Sequence, residues 1–158
     1  MHCPNLPKII ELASFNGDYP KYQDYIIRFF KENILNVNFD KKIIKFQNPQ
    51  NDTTILHIIS KNTDGKNREI DLRRCERITW IPHLLQSEDC QQCDQFLVWK
   101  KPEPKRNRLR TYVFCANKNY IVVLEEHKNI LFLVTAFNVD NHHRTKYIKE
   151  YNDYLKYT

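Results

Sequence analysis

The sequence predicts an α+β fold: N-terminal helices followed by a mainly antiparallel β-sheet, with a C-terminal helix. Three observations predict it. Apolar residues recur at helical spacing near the start, strand-length apolar runs separated by short polar turns fill the second half, and helical spacing returns at the end. At 158 residues, 41% hydrophobic and 13% aromatic, the chain is long enough for one packed core and too short for two ordinary domains. Residues 1–158 are read as a single domain, with 1–18 as an N-terminal extension.

Tyr19 to Leu35 reads as a helix, because Tyr22, Tyr25, Ile26, Phe29 and Phe30 fall three and four apart and Pro20 suits a first turn. Lys42 to Phe46 and Thr53 to Ile59 are rich in β-branched residues and read as strands, separated by the turn cluster Asn48-Pro49-Gln50-Asn51-Asp52. Lys61 to Lys66, with Asp64-Gly65, reads as loop. Asp71 is a candidate N-cap for a helix whose Leu72, Cys75, Ile78 and Ile81 share a face, and Pro82 argues against an unbroken continuation. Gln86 to Asp94 reads as loop. Strands follow at Phe96–Trp99, Arg110–Cys115, Tyr120–Glu125 and Ile130–Phe137, the last three joined as hairpins by short polar turns. His142 to Tyr157 closes the chain as a helix. Its Tyr147, Tyr151, Tyr154 and Tyr157 have the spacing of a helix packing onto a sheet.

Composition excludes several function classes. Gly17 and Gly65 are the only glycines, so Rossmann fingerprints, Walker loops and other glycine-rich phosphate cradles are absent, and no cofactor is expected. No apolar run approaches the ~20 residues of a membrane span, and the first residues lack the layout of a signal peptide. Five cysteines, an odd number, point to reduced thiols and a cytoplasmic protein. Cys90-Gln91-Gln92-Cys93 has the spacing of half a zinc site, but no second half lies at standard distance, so the pair reads as reduced surface cysteines and no metal is expected.

Charge points to polyanions. Twenty-five Lys and Arg against 19 Asp and Glu give +6. Most of that excess lies in Lys100-Lys101-Pro102-Glu103-Pro104-Lys105-Arg106-Asn107-Arg108-Leu109-Arg110. Two prolines keep this stretch extended, and it reads either as a loop gripping a phosphate backbone or as a solvated basic loop. A second cluster, Arg73, Arg74 and Arg77, sits at helical spacing away from the apolar face, where the guanidiniums would either fork onto phosphate or pair with Glu69 or Glu76. His57, in the predicted strand, shares a face with Ile55 and Ile59 by alternation. It is either a satisfied core or edge histidine or a proton-transfer group. Thr135 interrupts an apolar strand and by alternation faces with Leu131, Leu133 and Phe137. It either back-bonds in the sheet or offers its hydroxyl to a phosphoryl oxygen.

These segments resemble a group of phage- and prophage-associated proteins in the barnase–EndoU–colicin–RelE (BECR) nuclease-like superfamily. The residues that carry the resemblance are Leu56-His57-Ile58-Ile59-Ser60 and, after a short loop, Arg68-Glu69-Ile70-Asp71-Leu72-Arg73-Arg74-Cys75-Glu76-Arg77-Ile78-Thr79-Trp80. It continues through the strands around Tyr112, Val123 and Thr135, and spans about Tyr19 to Tyr157. The resemblance implies a small metal-independent ribonuclease, often a toxin, that cuts RNA by attack of a 2′-OH on its adjacent phosphorus. It implies catalytic roles for His57, Arg77 and Thr135. Arg73, Arg74, Arg110, Lys105, Arg106 and Arg108 would bind substrate. RNA is then the expected partner, an acidic inhibitor or antitoxin protein a second, and no membrane is involved. The competing expectation is a non-catalytic nucleic-acid-binding or protein-interaction module.

Overall fold

Asp18 and Pro20 start the first helix. The Asp18 carboxylate accepts the Lys21 N–H at 3.2 Å, and α1 (Tyr19–Asn33) follows with Tyr22, Ile26 and Phe30 as its fully buried stripe. The computed structural model describes residues 6–46 and 52–158. Ahead of α1, Leu12–Phe15 forms a 3₁₀ turn, and residues 6–18 pack onto the core: Trp80 donates its indole N–H to the Pro7 carbonyl and Tyr22 its hydroxyl to that of Ile10.

Two short strands, β1 (Asn38–Phe39) and β2 (Lys42–Lys45), form a hairpin through Asp40-Lys41, both at positive φ as a tight hairpin turn requires. Of the turn cluster before Thr53, Asn48, Pro49, Gln50 and Asn51 lie outside the described residues. The predicted strand Thr53–Ile59 is instead a helix, α2 (Thr53–Ile58). Its apolar residues are equally compatible with helical spacing: Ile55, Ile58 and Ile59 bury together, while His57 is exposed rather than sharing their face. β3 (Ser60–Asn62) and β4 (Arg68–Ile70) pair as a separate two-stranded sheet, so Lys61 and Asn62 belong to a strand, and the Asp64 carboxylate organises the turn between them.

Asp71 caps α3 (Leu72–Glu76), accepting from the Arg73 and Arg74 N–H groups. The predicted helix breaks at 77–79 and resumes as α4 (Trp80–Gln86), with Pro82 in its first turn. Cys75, Ile78 and Ile81 are buried as expected, but Leu72, the first residue of α3, remains 42% exposed. The predicted loop Gln86–Asp94 contains one helical turn, α5 (Glu88–Gln91), capped by Ser87. Cys90 and Cys93 are buried in the core rather than on the surface.

The second half is the meander: β5 (Phe96–Glu103), β6 (Arg108–Cys115), β7 (Tyr120–His127) and β8 (Ile130–Asn138), then α6 (Asn141–Lys156). The sheet order is β1-β2-β8-β7-β6-β5, antiparallel except where β2 runs parallel to β8. One face, through Val113, Val122, Leu124, Leu131 and Leu133, joins α1–α5 in the main core. The other, through Trp99, Phe114, Ile121 and Val123, packs against Tyr147, Tyr151 and Tyr154 of α6, while Tyr157 is 88% exposed.

Two details reposition predicted site residues. The basic stretch is no extended loop: β5 and β6 continue their register to Glu103↔Arg108, leaving residues 104–107 as the turn. Pro102 is tolerated because β5 is an edge strand. In β8, Val123 pairs with Thr135 but Leu124 with Leu133, so Val134 is an extra bulged residue and the alternation slips. Thr135, opposite Val123, therefore lies on the α6 side of the sheet with Phe137, not with Leu131 and Leu133.

Candidate functional site

Among the described residues, β2 pairs along β8 only at Ile130–Phe132, and α2 and α3 both pack against β8. Here a cleft of about 310 Å³ opens between α2 and the β5–β6 hairpin. Thr53, Thr54 and His57 of α2 form one wall, and Arg106 and Arg110 another. Phe132, Leu133 and the bulged Val134 complete it. Residues up to 81 positions apart in the chain thus converge on one concave surface: an imidazole, two guanidiniums, two hydroxyls and an apolar patch.

His57 lies in the last turn of α2, where arginines from β4 and α3 hold the backbone. Arg68 donates from Nη2 to the carbonyls of His57 (3.0 Å) and Ser60 (2.8 Å) and from Nε to the Ser60 hydroxyl (2.9 Å). Arg74 donates to the same Ser60 carbonyl at 2.6 Å. Such contacts suit a helix C-terminus, whose last carbonyls have no partner within the helix. They also act on the ring. Desolvation at the cleft wall, then the charges of Arg68 and Arg74, push the His57 pKa below the ordinary imidazole value. At neutral pH the ring is therefore unprotonated, which suits a proton acceptor.

The opposite wall is organised by a carboxylate that the sequence reading did not single out. Glu125 on β7 is 1% exposed, and both its oxygens are engaged. Oε1 accepts from Arg108 at 3.2 Å and lies 4.0 Å from Arg106, while Oε2 accepts from Arg110 Nε at 3.3 Å. Glu103 meets Arg110 Nη1 at 3.6 Å. A signal was available: a Glu ending an apolar strand, on the face of Ile121 and Val123 by alternation. Arg68, Thr53, Thr54, Phe132 and Val134 carried no comparable mark.

The remaining predicted residues are dispersed. Arg106 and Arg110 line the cleft, Arg108 joins them at Glu125, and Lys105 is exposed at the hairpin tip. Lys100 and Lys101 turn to Glu126 and Glu150. The arginines of α3 do not gather as one cluster. Arg73 is exposed, Arg74 sits 5.3 Å over the Phe137 ring, and Arg77 lies 5.3 Å over Trp80 while bonded to Glu76 and to the Arg73 carbonyl. Arg77 is thus held in the structure apart from the residues lining the cleft. Thr135 is next to Val134 but does not line the cleft.

No protein-family model, curated protein or solved structure matches the chain. Among the described residues, no helix is long and apolar enough to cross a membrane, and no group of three or more His, Cys, Asp and Glu is placed to hold a metal ion.

Proposed function

We propose that the protein is a metal-independent endoribonuclease of phage or toxin type, a BECR-like nuclease working in the cytoplasm, with the β8 cleft as its active site. The observation that carries the reading is the convergence of His57 with Arg106 and Arg110 on one cleft. In-line cleavage requires a base at the 2′-oxygen and positive charge around the non-bridging phosphoryl oxygens. Neutral His57 takes the 2′-OH proton, and the 2′-oxygen bonds to phosphorus. The 5′-oxygen leaves and takes a proton from solvent, giving a 2′,3′-cyclic phosphate and a 5′-OH. Arg106 and Arg110 hold the charge that builds on the phosphoryl oxygens, and the Thr53 and Thr54 hydroxyls offer further donors. Phe132 and Val134 give a base or sugar an apolar surface. Arg77 and Thr135, outside the cleft lining, are assigned no catalytic part in this reading. An acidic inhibitor protein is the complementary macromolecular partner.

Incubation of the purified protein with labelled RNA in EDTA tests the proposal. The wild type should cut, and His57→Ala should lose about 100-fold or more in rate, the scale of a general base. Equal cutting by both proteins would remove His57 from the mechanism. One observation favours a non-catalytic nucleic-acid-binding module instead: among the described residues His57 is the single imidazole lining the cleft, so these residues offer no second histidine to protonate the leaving oxygen. Salt-dependent RNA retention with no cleavage products would establish that alternative.

A further inference from the structure

Glu125 presents a puzzle in charge. A carboxylate beside a phosphate-binding cleft repels the ligand, and a carboxylate buried to 1% exposure sacrifices its hydration. Replacing such a buried ionic group with an apolar one is often neutral or stabilising, so fold stability alone is a weak reason for its presence.

The register supplies a different reason. Arg110 stands directly opposite Glu125 across the β6–β7 ladder, and Arg108 lies two residues along β6 on the same side. Arg106 follows in the hairpin turn, its Nη1 4.0 Å from Glu125 Oε1. Arg106, Arg108 and Arg110 against Glu125 and Glu103 leave a net +1 (3 − 2). Without the carboxylate, three neighbouring guanidiniums would repel one another and disperse. A guanidinium has five N–H donors in a fixed fork. Glu125 takes one edge of Arg110 through Nε, Glu103 meets Nη1, and the side chain still lines the cleft. Glu125 itself is not among the lining residues.

We propose that Glu125 is the positioning residue of this cleft: its buried carboxylate fixes Arg106 and Arg110 as a preformed seat for the phosphodiester of a nucleic-acid strand. The inference rests on the functional reading above and deepens it. Glu125 exchanges no proton with the substrate. It acts by holding the arginines in place before the strand arrives, so that binding does not have to order them.

The prediction is opposite in sign to that of simple electrostatics. The probe is a short 2′-O-methyl RNA oligonucleotide, which lacks the attacking hydroxyl, titrated into the full chain at fixed salt. Positioning predicts that Glu125→Gln, despite adding net positive charge, weakens binding about tenfold. Glu125→Asp keeps the charge but withdraws it by one methylene, and it too weakens binding. Tighter binding by Glu125→Gln, or unchanged binding by Glu125→Asp, overturns the proposal. If Glu125→Gln does not fold, the Asp variant decides by the same criterion. In cleavage of ordinary RNA, Glu125→Gln should raise KM while keeping the wild-type acid limb of the pH–rate profile. Loss of that limb would make Glu125 a proton-transfer group and overturn the positioning role. Wild-type binding of the oligonucleotide without cleavage of ordinary RNA sinks the ribonuclease reading alone, and absence of binding sinks both.

Discussion

The protein has two arginine-rich regions that look alike in sequence and serve different ends in the fold. Arg73, Arg74 and Arg77 on and after α3 are drawn into the scaffold or left on the surface: Arg74 onto the Ser60 carbonyl and Phe137, Arg77 onto Trp80 and Glu76. Arg106, Arg108 and Arg110 on the β5–β6 hairpin gather around Glu125, and two of them face a cleft that also holds His57. What separates the regions is where the partners are. Carbonyls and ring faces use up a guanidinium locally, whereas one buried carboxylate can hold several and leave donors over.

Substitutions should split the two regions. The largest effect belongs to Arg110→Ala, which should lower the cleavage rate by about 100-fold or more, as removal of a preorganised charge donor does. Arg77→Ala, measured in the same single-turnover assay, should leave the rate nearly unchanged. A larger loss from Arg77→Ala would return the α3 region to the proposed site.

Arg74→Ala should act on stability instead. It removes a donor to the Ser60 carbonyl and a cation stacked on Phe137, so thermal unfolding should report a loss of about 1–2 kcal/mol. It also removes one of the charges opposing protonation of His57. The acid limb of the pH–rate profile should therefore move to higher pH. An unmoved limb would detach Arg74 from the histidine.

The smallest effect is the pH dependence of folding. The pKa values of His57 and His83 are both lowered in the folded protein, in each case first by desolvation. As pH falls below the unfolded value of about 6.5, the unfolded chain binds more protons than the folded one, and stability declines. Chemical denaturation at pH 7.5 and 5.5 should show the lower midpoint at 5.5. His57→Gln should reduce the difference, and an equal difference in both proteins would dismiss the His57 contribution.

The same contrast explains what the sequence could reveal. The β6–β7–β8 meander was legible because its apolar runs alternate between polar turns, and α1 because Tyr22, Ile26 and Phe30 repeat every four residues. Thr53–Ile58 was not, since six residues with four β-branched members fit a strand or a helix equally and only packing decides. That error placed His57 on the wrong element while leaving it a valid candidate. The bulge at Val134 was invisible because alternation assumes unbroken register, and it moved Thr135 to the other face. Cation density identified the hairpin, yet it could not tell Arg110, on the cleft, from Lys101, paired with Glu150. Those distinctions depend on partners 15 and 49 residues away.

The central claim is that His57 and the hairpin arginines act on one phosphodiester, and a double-mutant cycle tests it most directly. Cleavage rates of wild type, His57→Ala, Arg110→Ala and the double variant, taken in EDTA, give the coupling between the two side chains. Groups serving a single transition state are strongly non-additive, so the double variant should be little worse than the poorer single variant. Fully additive losses, or a wild type that cuts no RNA, would contradict the claim.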